Sequence, residues 1–233
     1  MKNDAGEHLR LVLPLEELWP GGAELVAQRH AQLTAQRDDS TQQQSPAKRE
    51  LSELVAAFPC ETLLMDLETC GLSGSPLFLV GLLRRVDDRL AIELLLARNY
   101  AEEHAVLVSF WQRAAAHRVL VTFNGKSFDW PMVVDRSTRH LMFRRAPRPE
   151  LMHVDLLHHS RRRWRRQLPD CKLQTLERQI CGRGRTGDIP GERIPQAYHQ
   201  FVRTGFQREM DAILLHNAVD LVTLLDLAMR LAG

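Results

Sequence analysis

Three short apolar runs, close together in the chain, constrain its fold more than any other feature. They cover residues 62–67, 76–83 and 90–96, and a charged turn at residues 86–89 separates the second run from the third. Apolar runs of this length, bounded by turn residues, are typical of buried strands. The short connection between the last two runs predicts an antiparallel pair.

Helical and strand patterns alternate after these runs. Helical spacing over residues 101–116 precedes a buried strand at 118–123. The turn at Asn124-Gly125 leads into a helix that is expected to begin at Phe128, with Ser127 as its N-cap. Residues 151–157 are expected to form a strand that runs into a helix, and residues 173–180 a further helix. A Gly/Pro-rich loop, a helix with Pro195 in its first turn and a long helix at 207–231 complete the chain. Three strands followed by this alternation predict an α/β fold with a mixed sheet.

The first quarter of the chain has a different pattern. Residues 22–36 show the spacing of an amphipathic helix, whereas residues 37–50 are polar, rich in Gln and Ser, and without apolar periodicity. We therefore expect an N-terminal extension with a flexible linker over residues 1–57. One folded domain is expected over residues 58–233, which is an ordinary domain length.

Composition excludes several classes of protein. Apolar residues make up 44% of the chain, yet no uninterrupted apolar run approaches the roughly 18–20 residues of a membrane span. The acidic N-terminal segment lacks the apolar core of a signal peptide. The four cysteines, Cys60, Cys70, Cys171 and Cys181, form neither a C-x-x-C pair nor a zinc-binding spacing with histidine. These features favour a cytoplasmic protein with reduced thiols and no membrane partner.

Charge is nearly balanced overall but not locally. The chain has 31 Lys and Arg against 29 Asp and Glu, for a net charge of +2. Between Arg136 and Arg166, however, ten arginines face only two acids, Glu150 and Asp155. Such a block is either a phosphate-binding surface or a solvated helix face, and charge alone leaves both interpretations open.

Acidic residues stand at the ends of the predicted elements. Asp66 and Glu68 close the first strand with their side chains on one face, because alternate residues of a strand point the same way. Two carboxylates buried together are costly unless a cation offsets them. Asp129 lies in the first turn of a helix, and Asp220 lies four residues after His216 on the last helix. Each motif taken alone also has an ordinary interpretation. Asp66 and Glu68 can be loop acids, Asp129 can be a first-turn acid favoured by the helix dipole, and His216 with Asp220 can be an ordinary helical pair.

The order of these motifs resembles the DEDD exonucleases of the ribonuclease H-like superfamily. Seven segments carry the resemblance to its YprB-type bacterial branch of predicted exonucleases: DLETCGLSG, FLVGLL, TFNGKSFDWP, HVDLLHHSRRRW, CKLQTLE, DIPGERIP and HNAVDLVTL. The similarity covers about residues 58–230. It implies a ribonuclease H-like fold with a five-stranded mixed sheet, in which three antiparallel strands precede two strands parallel to the first.

The same resemblance implies a two-metal site. The carboxylates that match the family motifs are Asp66, Glu68, Asp129 and Asp220, and hard Mg²⁺ or Mn²⁺ suits such oxygen ligands. Two ions would act on the attacking water and the leaving oxygen, with Asp66 bridging them. Relatives carry Tyr four residues, or His five residues, before the last Asp. His216 stands at the Tyr spacing, and its neutral imidazole is the expected base.

Further residues are candidates for supporting roles. Asp155 would cap the following helix or support the metal-binding carboxylates. Asn124 would stabilise the turn or contact the terminal nucleotide, and Trp164 would stack on a base or face the core. Candidate phosphate contacts are Lys126, Arg161, Arg162, Arg163, Arg165, Arg166 and Lys172.

The expected activity is that of a metal-dependent 3′–5′ exonuclease acting on single-stranded or frayed DNA, in DNA repair or processing. An RNA exonuclease or a structure-selective endonuclease is the enzymatic alternative, because fold does not determine substrate. A non-catalytic nucleic-acid-binding scaffold is the other alternative. Residues 1–50 are a candidate contact for a helicase or repair partner.

Overall fold

A mixed sheet of six strands forms the centre of the computed structural model, which describes residues 1–36, 45–72, 74–144 and 147–233. The strands of the described part are β3 (Leu9–Pro14), β4 (Thr62–Thr69), β5 (Leu77–Val86), β6 (Arg89–Leu96), β7 (Val119–Thr122) and β8 (Met152–Asp155), in the spatial order β3-β6-β5-β4-β7-β8. Two-residue strands β1 (Lys2–Asn3) and β2 (Gly6–Glu7) pair separately.

Helices flank the sheet. They are α1 (Leu15–Leu18), α2 (Gly22–Ala35), α3 (Pro46–Ala57), α4 (Glu103–Ala114), α5 (Asp129–Arg139), α6 (Leu156–Trp164), α7 (Leu173–Gln179), α8 (Ile194–Thr204) and α9 (Arg208–Ala232). The helix α9 packs across β4, β5 and β6, and α4 packs against β5 and β6.

Strand directions confirm the predicted mixed sheet. The strands β4, β5 and β6 are successively antiparallel, whereas β7 runs parallel to β4 and β8 runs parallel to β7. The carboxyl ends of β4, β7 and β8 therefore meet at one edge of the sheet. Loops at this edge are the usual place for ligands in open α/β sheets.

The sheet has one strand more than the five expected. Residues 9–14 form β3, which pairs antiparallel with β6 from Leu9↔Leu96 to Pro14↔Ala91. Without this strand the backbone of β6 would form an exposed sheet edge, which proteins generally cover or pair. The prediction failed here because the partner lies about eighty residues away in the chain.

The N-terminal segment packs on the rest of the protein. Helices α2 and α3 both contact α9. Of the predicted linker, residues 37–44 lie outside the described residues, but residues 46–50 belong to α3, whose N-terminus is capped by the Ser45 hydroxyl. The domain boundary at residue 58 stays a prediction, although β3 shows that the sheet itself extends beyond it.

The predicted N-cap of α5 is wrong. The helix begins at Asp129, Phe128 holds the N-cap position, and no side chain caps it. Asn124 adopts a left-handed backbone with φ of 64°, and the Ser127 amide donates to the Asn124 carbonyl. Ser127 therefore completes the turn instead of opening the helix.

The last helix supplies much of the core. Of the described residues, α9 alone is long and apolar enough to cross a membrane by length and composition, with a mean hydropathy of 1.6 over its most apolar window. However, 72% of that window is buried inside the protein. Packing on the sheet accounts for its apolar composition, as in a core helix of a globular domain.

Candidate functional site

Four carboxylates converge at the sheet edge where β4 and β7 end. Asp66 and Glu68 occupy alternate positions near the end of β4, Asp129 is the first residue of α5, and Asp220 comes from α9. The carboxylates of Asp220, Glu68 and Asp129 all raise the pKa of Asp66. The structure therefore brings the four predicted acids into one electrostatic cluster.

Burial and mutual repulsion shift the proton affinity of the whole cluster. The pKa of Asp66 lies well above its ordinary value, first because of burial and then because of its acidic neighbours. The same causes, with Asp220 the main neighbour, raise the pKa of Glu68 to about 8. Burial also raises the pKa of Asp129 to about 7. An added cation at this position would relieve all three shifts.

A glycine on β5 lets α9 reach Asp66. The side-chain amide of Asn217 donates to Asp66 Oδ2 at 2.7 Å. Gly81 lies directly opposite Asp66 in the sheet, and a Cβ built there would lie 1.7 Å from Asn217 Oδ1. Gly81 is thus required for close approach of the helix, and Asn217 fixes the orientation of the Asp66 carboxylate.

His216 is held between two acids. Its Nδ1 lies 2.7 Å from Asp188 Oδ1, and its Nε2 lies 3.4 Å from Asp220 Oδ2. Asp188 belongs to the α7–α8 loop, which we define as residues 180–193. If Nδ1 carries the proton that Asp188 accepts, then the lone pair of Nε2 faces the carboxylate cluster.

Arg185 of the α7–α8 loop is a cation inside this acidic site. Its Nη2 contacts Asp220 Oδ1 in a very short ion pair and lies 2.5 Å from Glu177 Oε2. Its Nη1 lies 3.4 Å from Asp188 Oδ2. Arg185 lowers the pKa of Asp220 against the larger effect of burial, so that the pKa remains raised.

The chemistry of the donor set fits divalent ions, although the side chains are not grouped as a ligand cage. Carboxylate oxygens are what Mg²⁺ and Mn²⁺ prefer, and the raised pKa values mark a deficit of positive charge. Among the described residues, no three His, Cys, Asp or Glu side chains are grouped so that they could hold one ion. Asp220 and Asp66 instead bind Arg185 and Asn217.

Asp155 stabilises the turn beside the cluster. Its carboxylate accepts hydrogen bonds from the amides of Asn124 at 2.8 Å and Lys126 at 3.0 Å, and from the Leu157 amide at the start of α6. Gly125 is needed in this turn because a Cβ would lie 2.3 Å from Thr122 Oγ1. Asp155 therefore caps α6, which is one of the two roles predicted for it. Asn124 has the backbone conformation of a turn residue.

Lys126 is tied to the N-terminal segment. Its Nζ lies 3.2 Å from Glu50 of α3, and the other oxygen of Glu50 lies 2.9 Å from His159 Nε2. The pKa of His159 is lowered, first by burial and to a smaller extent by Arg162 and Lys126. Glu50 of α3 thus connects Lys126, in the turn before Asp129, to the buried His159 of α6.

The predicted arginine run lines an open groove. A groove of about 650 Å³ is bounded by His158, Arg161, Arg162, Arg163, Arg165, Arg166 and Gln167. Trp164 is only 7% exposed and belongs to the core, so the prediction that it stacks on a base is wrong and the core-facing alternative is correct. Its ring packs inward because α6 lies against α9. Lys172 is exposed just before α7.

Two arginines at the start of the basic block are already paired with acids. Arg136 pairs with the buried Glu103 at 2.6 Å, and Arg139 pairs with Asp135 at 2.8 Å. The phosphate-binding hypothesis therefore rests on the α6 end of the block.

Comparison with known proteins gives the family. The sequence model of the RNase H superfamily matches residues 63–232, which include all four carboxylates and His216. The chain belongs to the RNase H superfamily. It is 36% identical to the uncharacterized protein YprB of Bacillus subtilis (strain 168) over 172 residues, which are 72% of this chain and 41% of that protein. The chain thus spans less than half the length of this relative.

Sequence reasoning missed four residues that build the site of this RNase H-like protein. Glu177, Asp188 and Asn217 lie inside segments that carried the resemblance but had no assigned role, whereas Arg185 lies outside these segments. The available signal for Asp188 was its place as the first residue of the segment DIPGERIP. An arginine in a Gly-rich loop has no sequence signature that distinguishes an active-site residue from a surface one.

Proposed function

We propose that this protein is a metal-dependent 3′–5′ exonuclease that hydrolyses phosphodiester bonds of single-stranded or frayed DNA. The observation that carries the proposal is the convergence of Asp66, Glu68, Asp129 and Asp220 at one sheet edge in a chain of the RNase H superfamily. A set of oxygen ligands without a nearby thiolate pair favours Mg²⁺ or Mn²⁺.

Each residue of the site has a part in the proposed chemistry. When bound by the four carboxylates, two divalent ions supply an activated water and stabilise charge on the leaving oxygen. His216 accepts the proton of the water at Nε2, and Asp188 holds the other ring nitrogen at 2.7 Å. Asn217 keeps the Asp66 carboxylate turned toward the site through its 2.7 Å hydrogen bond.

The basic groove supports nucleic acid as the substrate. Arg163 donates to the main-chain oxygen of Arg230, which lies ten residues after Asp220 on α9. At 1.5 Å per residue this separation is about 15 Å, a distance that a short stretch of single strand can span. Arg162 and Arg161 line the groove beside Arg163, so the phosphates of a bound strand would meet positive charge there.

The proposal is tested with the purified chain and 3′- or 5′-labelled substrates: single-stranded DNA, duplex DNA and RNA, each with Mg²⁺, Mn²⁺ or EDTA. We expect single-stranded DNA to shorten from its 3′ end when metal is present and to stay intact in EDTA. Asp66→Asn should lower the rate by at least about a thousandfold, because it removes a carboxylate placed at the centre of the cluster.

The control is Asp211→Asn, which removes one carboxylate from an exposed position on α9. It should cleave like the unaltered protein. Cleavage of RNA in preference to DNA would make the protein an RNA exonuclease, and internal cuts would make it an endonuclease. Tight binding with no cleavage of any substrate would favour the scaffold alternative, and full activity of Asp66→Asn would contradict the proposal.

A further inference from the structure

The ion pair between Arg185 and Asp220 lies where one of the proposed metal ligands should be available. Both oxygens of Asp220 already have partners, since Oδ1 contacts Arg185 and Oδ2 lies 3.4 Å from His216 Nε2. The side chains of Arg185 and Asp220 are 11% and 14% exposed, so water screens the pair only weakly.

Arg185 has a second anchor that keeps it in the site. Its Nε and Nη2 lie 2.7 and 2.5 Å from Glu177 Oε2, and the Glu177 side chain is only 3% exposed. Among the described residues, Arg185 is the one cation paired with Glu177. Arg185 can therefore release Asp220 and stay paired with Glu177 of α7, so that neither of these two buried charges is left unpaired.

The pair competes with a metal ion for the same carboxylate. A divalent ion bound by Asp220 would stand next to the guanidinium, and like charges at such short range repel strongly in a partly buried site. In the absence of metal the charge of Arg185 offsets the mutual repulsion of the four acids.

We propose that Arg185 is the internal counter-cation of the metal site, and that metal binding requires Asp220 to exchange Arg185 for the ion while Arg185 stays on Glu177. This inference rests on the proposed function, since it assumes that the carboxylates bind metal. The α7–α8 loop would then control metal affinity. Arg185 acts as a positioning residue for Asp220.

Metal binding to the purified chain without nucleic acid tests the proposal. Free Mn²⁺ is followed by electron paramagnetic resonance during titration of the unaltered protein, Arg185→Gln, Arg178→Gln, Asp220→Asn and Asp66→Asn. We expect Arg185→Gln to bind Mn²⁺ about tenfold more tightly, because the competing charge is gone. Arg178→Gln, which removes an exposed arginine from the same helix as Glu177, should bind like the unaltered protein.

A second measurement follows an NMR resonance of Arg185 in the unaltered protein. The Nε–Hε resonance of Arg185, assigned by its loss in Arg185→Lys, should shift as Mg²⁺ saturates the protein. Mn²⁺ affinity in Arg185→Gln that is no higher than in Arg178→Gln, or a resonance that Mg²⁺ does not move, would overturn the inference. If Asp220→Asn and Asp66→Asn bind Mn²⁺ as well as the unaltered protein, the proposed metal site itself is wrong.

Discussion

At the scale of single residues, the site depends on hydrogen bonds that orient the side chains predicted from the sequence. His216 was a candidate base from its spacing to Asp220, but the spacing gives no direction to its ring. Asp188 supplies the direction, because it lies 2.7 Å from Nδ1 and leaves Nε2 toward the cluster. The order of Asp188, His216 and Asp220 resembles the general arrangement in which a carboxylate orients a histidine base.

Replacing Asp188 by Asn should therefore affect turnover more than binding. We expect kcat to fall about 10- to 100-fold while KM for single-stranded DNA stays within about twofold, because the ring loses its preferred tautomer while the groove is unchanged. Steady-state kinetics on a labelled oligonucleotide measure both constants.

Glu192→Gln is the matched control, since it removes an exposed acid from the same loop. Glu192→Gln should leave kcat and KM unchanged. A rise in KM with unchanged kcat in Asp188→Asn would show that Asp188 acts on substrate binding instead of on His216.

At the scale of elements, one buried acid joins the N-terminal strand to the sheet. Glu93 on β6 is fully buried and pairs with Arg10 of β3, Arg84 of β5 and Arg113 of α4. Burial opposes the charge of Glu93, but the hydrogen bonds and charges of these arginines prevail and lower its pKa to about 2. The pairing of β3 with β6 therefore brings a buried ionic network as well as backbone hydrogen bonds.

This network makes a pH-dependent contribution to stability. Glu93 has a lower pKa folded than unfolded, so its contribution is complete above its ordinary pKa of 4.5 and is lost as the pH falls toward 2. The shift corresponds to about 3 kcal/mol. Urea unfolding of the unaltered protein at pH values between 6 and 2 should show the free energy of unfolding decreasing across this window.

Glu93→Gln should be less stable at pH 6, because three arginines lose their buried partner. Its free energy of unfolding should also fall less between pH 4.5 and 2 than that of the unaltered protein. Equal pH slopes for the two proteins would contradict the assignment of the depressed pKa to Glu93.

At the scale of the whole molecule, charge is separated into two regions of opposite sign. Glu177, Asp188 and Asp220 contact Arg185 and His216 next to the cluster that contains Asp66, Glu68 and Asp129, whereas exposed arginines line the groove at the end of α6. The net charge of +2 hides this separation. Arg161, Arg162 and Arg165 make no side-chain ion pair within the described part of the chain, so their charges are free to meet phosphates.

Replacing these three arginines by Gln should weaken binding of single-stranded DNA and reduce its salt dependence. The slope of log Kd against log salt should decrease by about 2, because each lost phosphate contact removes about 0.7 from it. Fluorescence anisotropy with a labelled oligonucleotide, in EDTA to prevent cleavage, measures the slope between 50 and 300 mM salt, a range of about sixfold.

The triple replacement of Arg89, Arg203 and Arg208 is the control, since these arginines are exposed and lie outside the groove. It lowers the net charge by the same amount. If both triple variants lose the same slope, then the groove has no special part in binding and the run on α6 is a solvated helix face.

Local patterns were sufficient for the central elements of the fold. Apolar runs of strand length predicted β4, β5 and β6, and the short charged turn predicted the antiparallel pairing of β5 with β6. Helical spacing predicted α2, α4 and α9 to within a few residues. These predictions succeeded because burial on one face or both imposes a period that is visible within a few residues of sequence.

Long-range pairing could not be predicted in this way. The strand β3 is recognised only through its partner β6, and its alternating exposure gives a weak apolar pattern. The local sequence around Trp164 likewise does not indicate whether its ring faces a base or the core. The packing of α6 against α9 decides between them.

The sequence by itself determined the mixed α/β fold, the family and the positions of Asp66, Glu68, Asp129 and Asp220, because these depend on periodicity and on motifs that are short and contiguous. The tertiary structure alone decided which side chains contact those carboxylates. Asn217, Asp188 and Arg185 reach the cluster from a helix and a loop more than a hundred residues after Asp66. Contacts between such distant residues depend on how the elements pack, which no local pattern records.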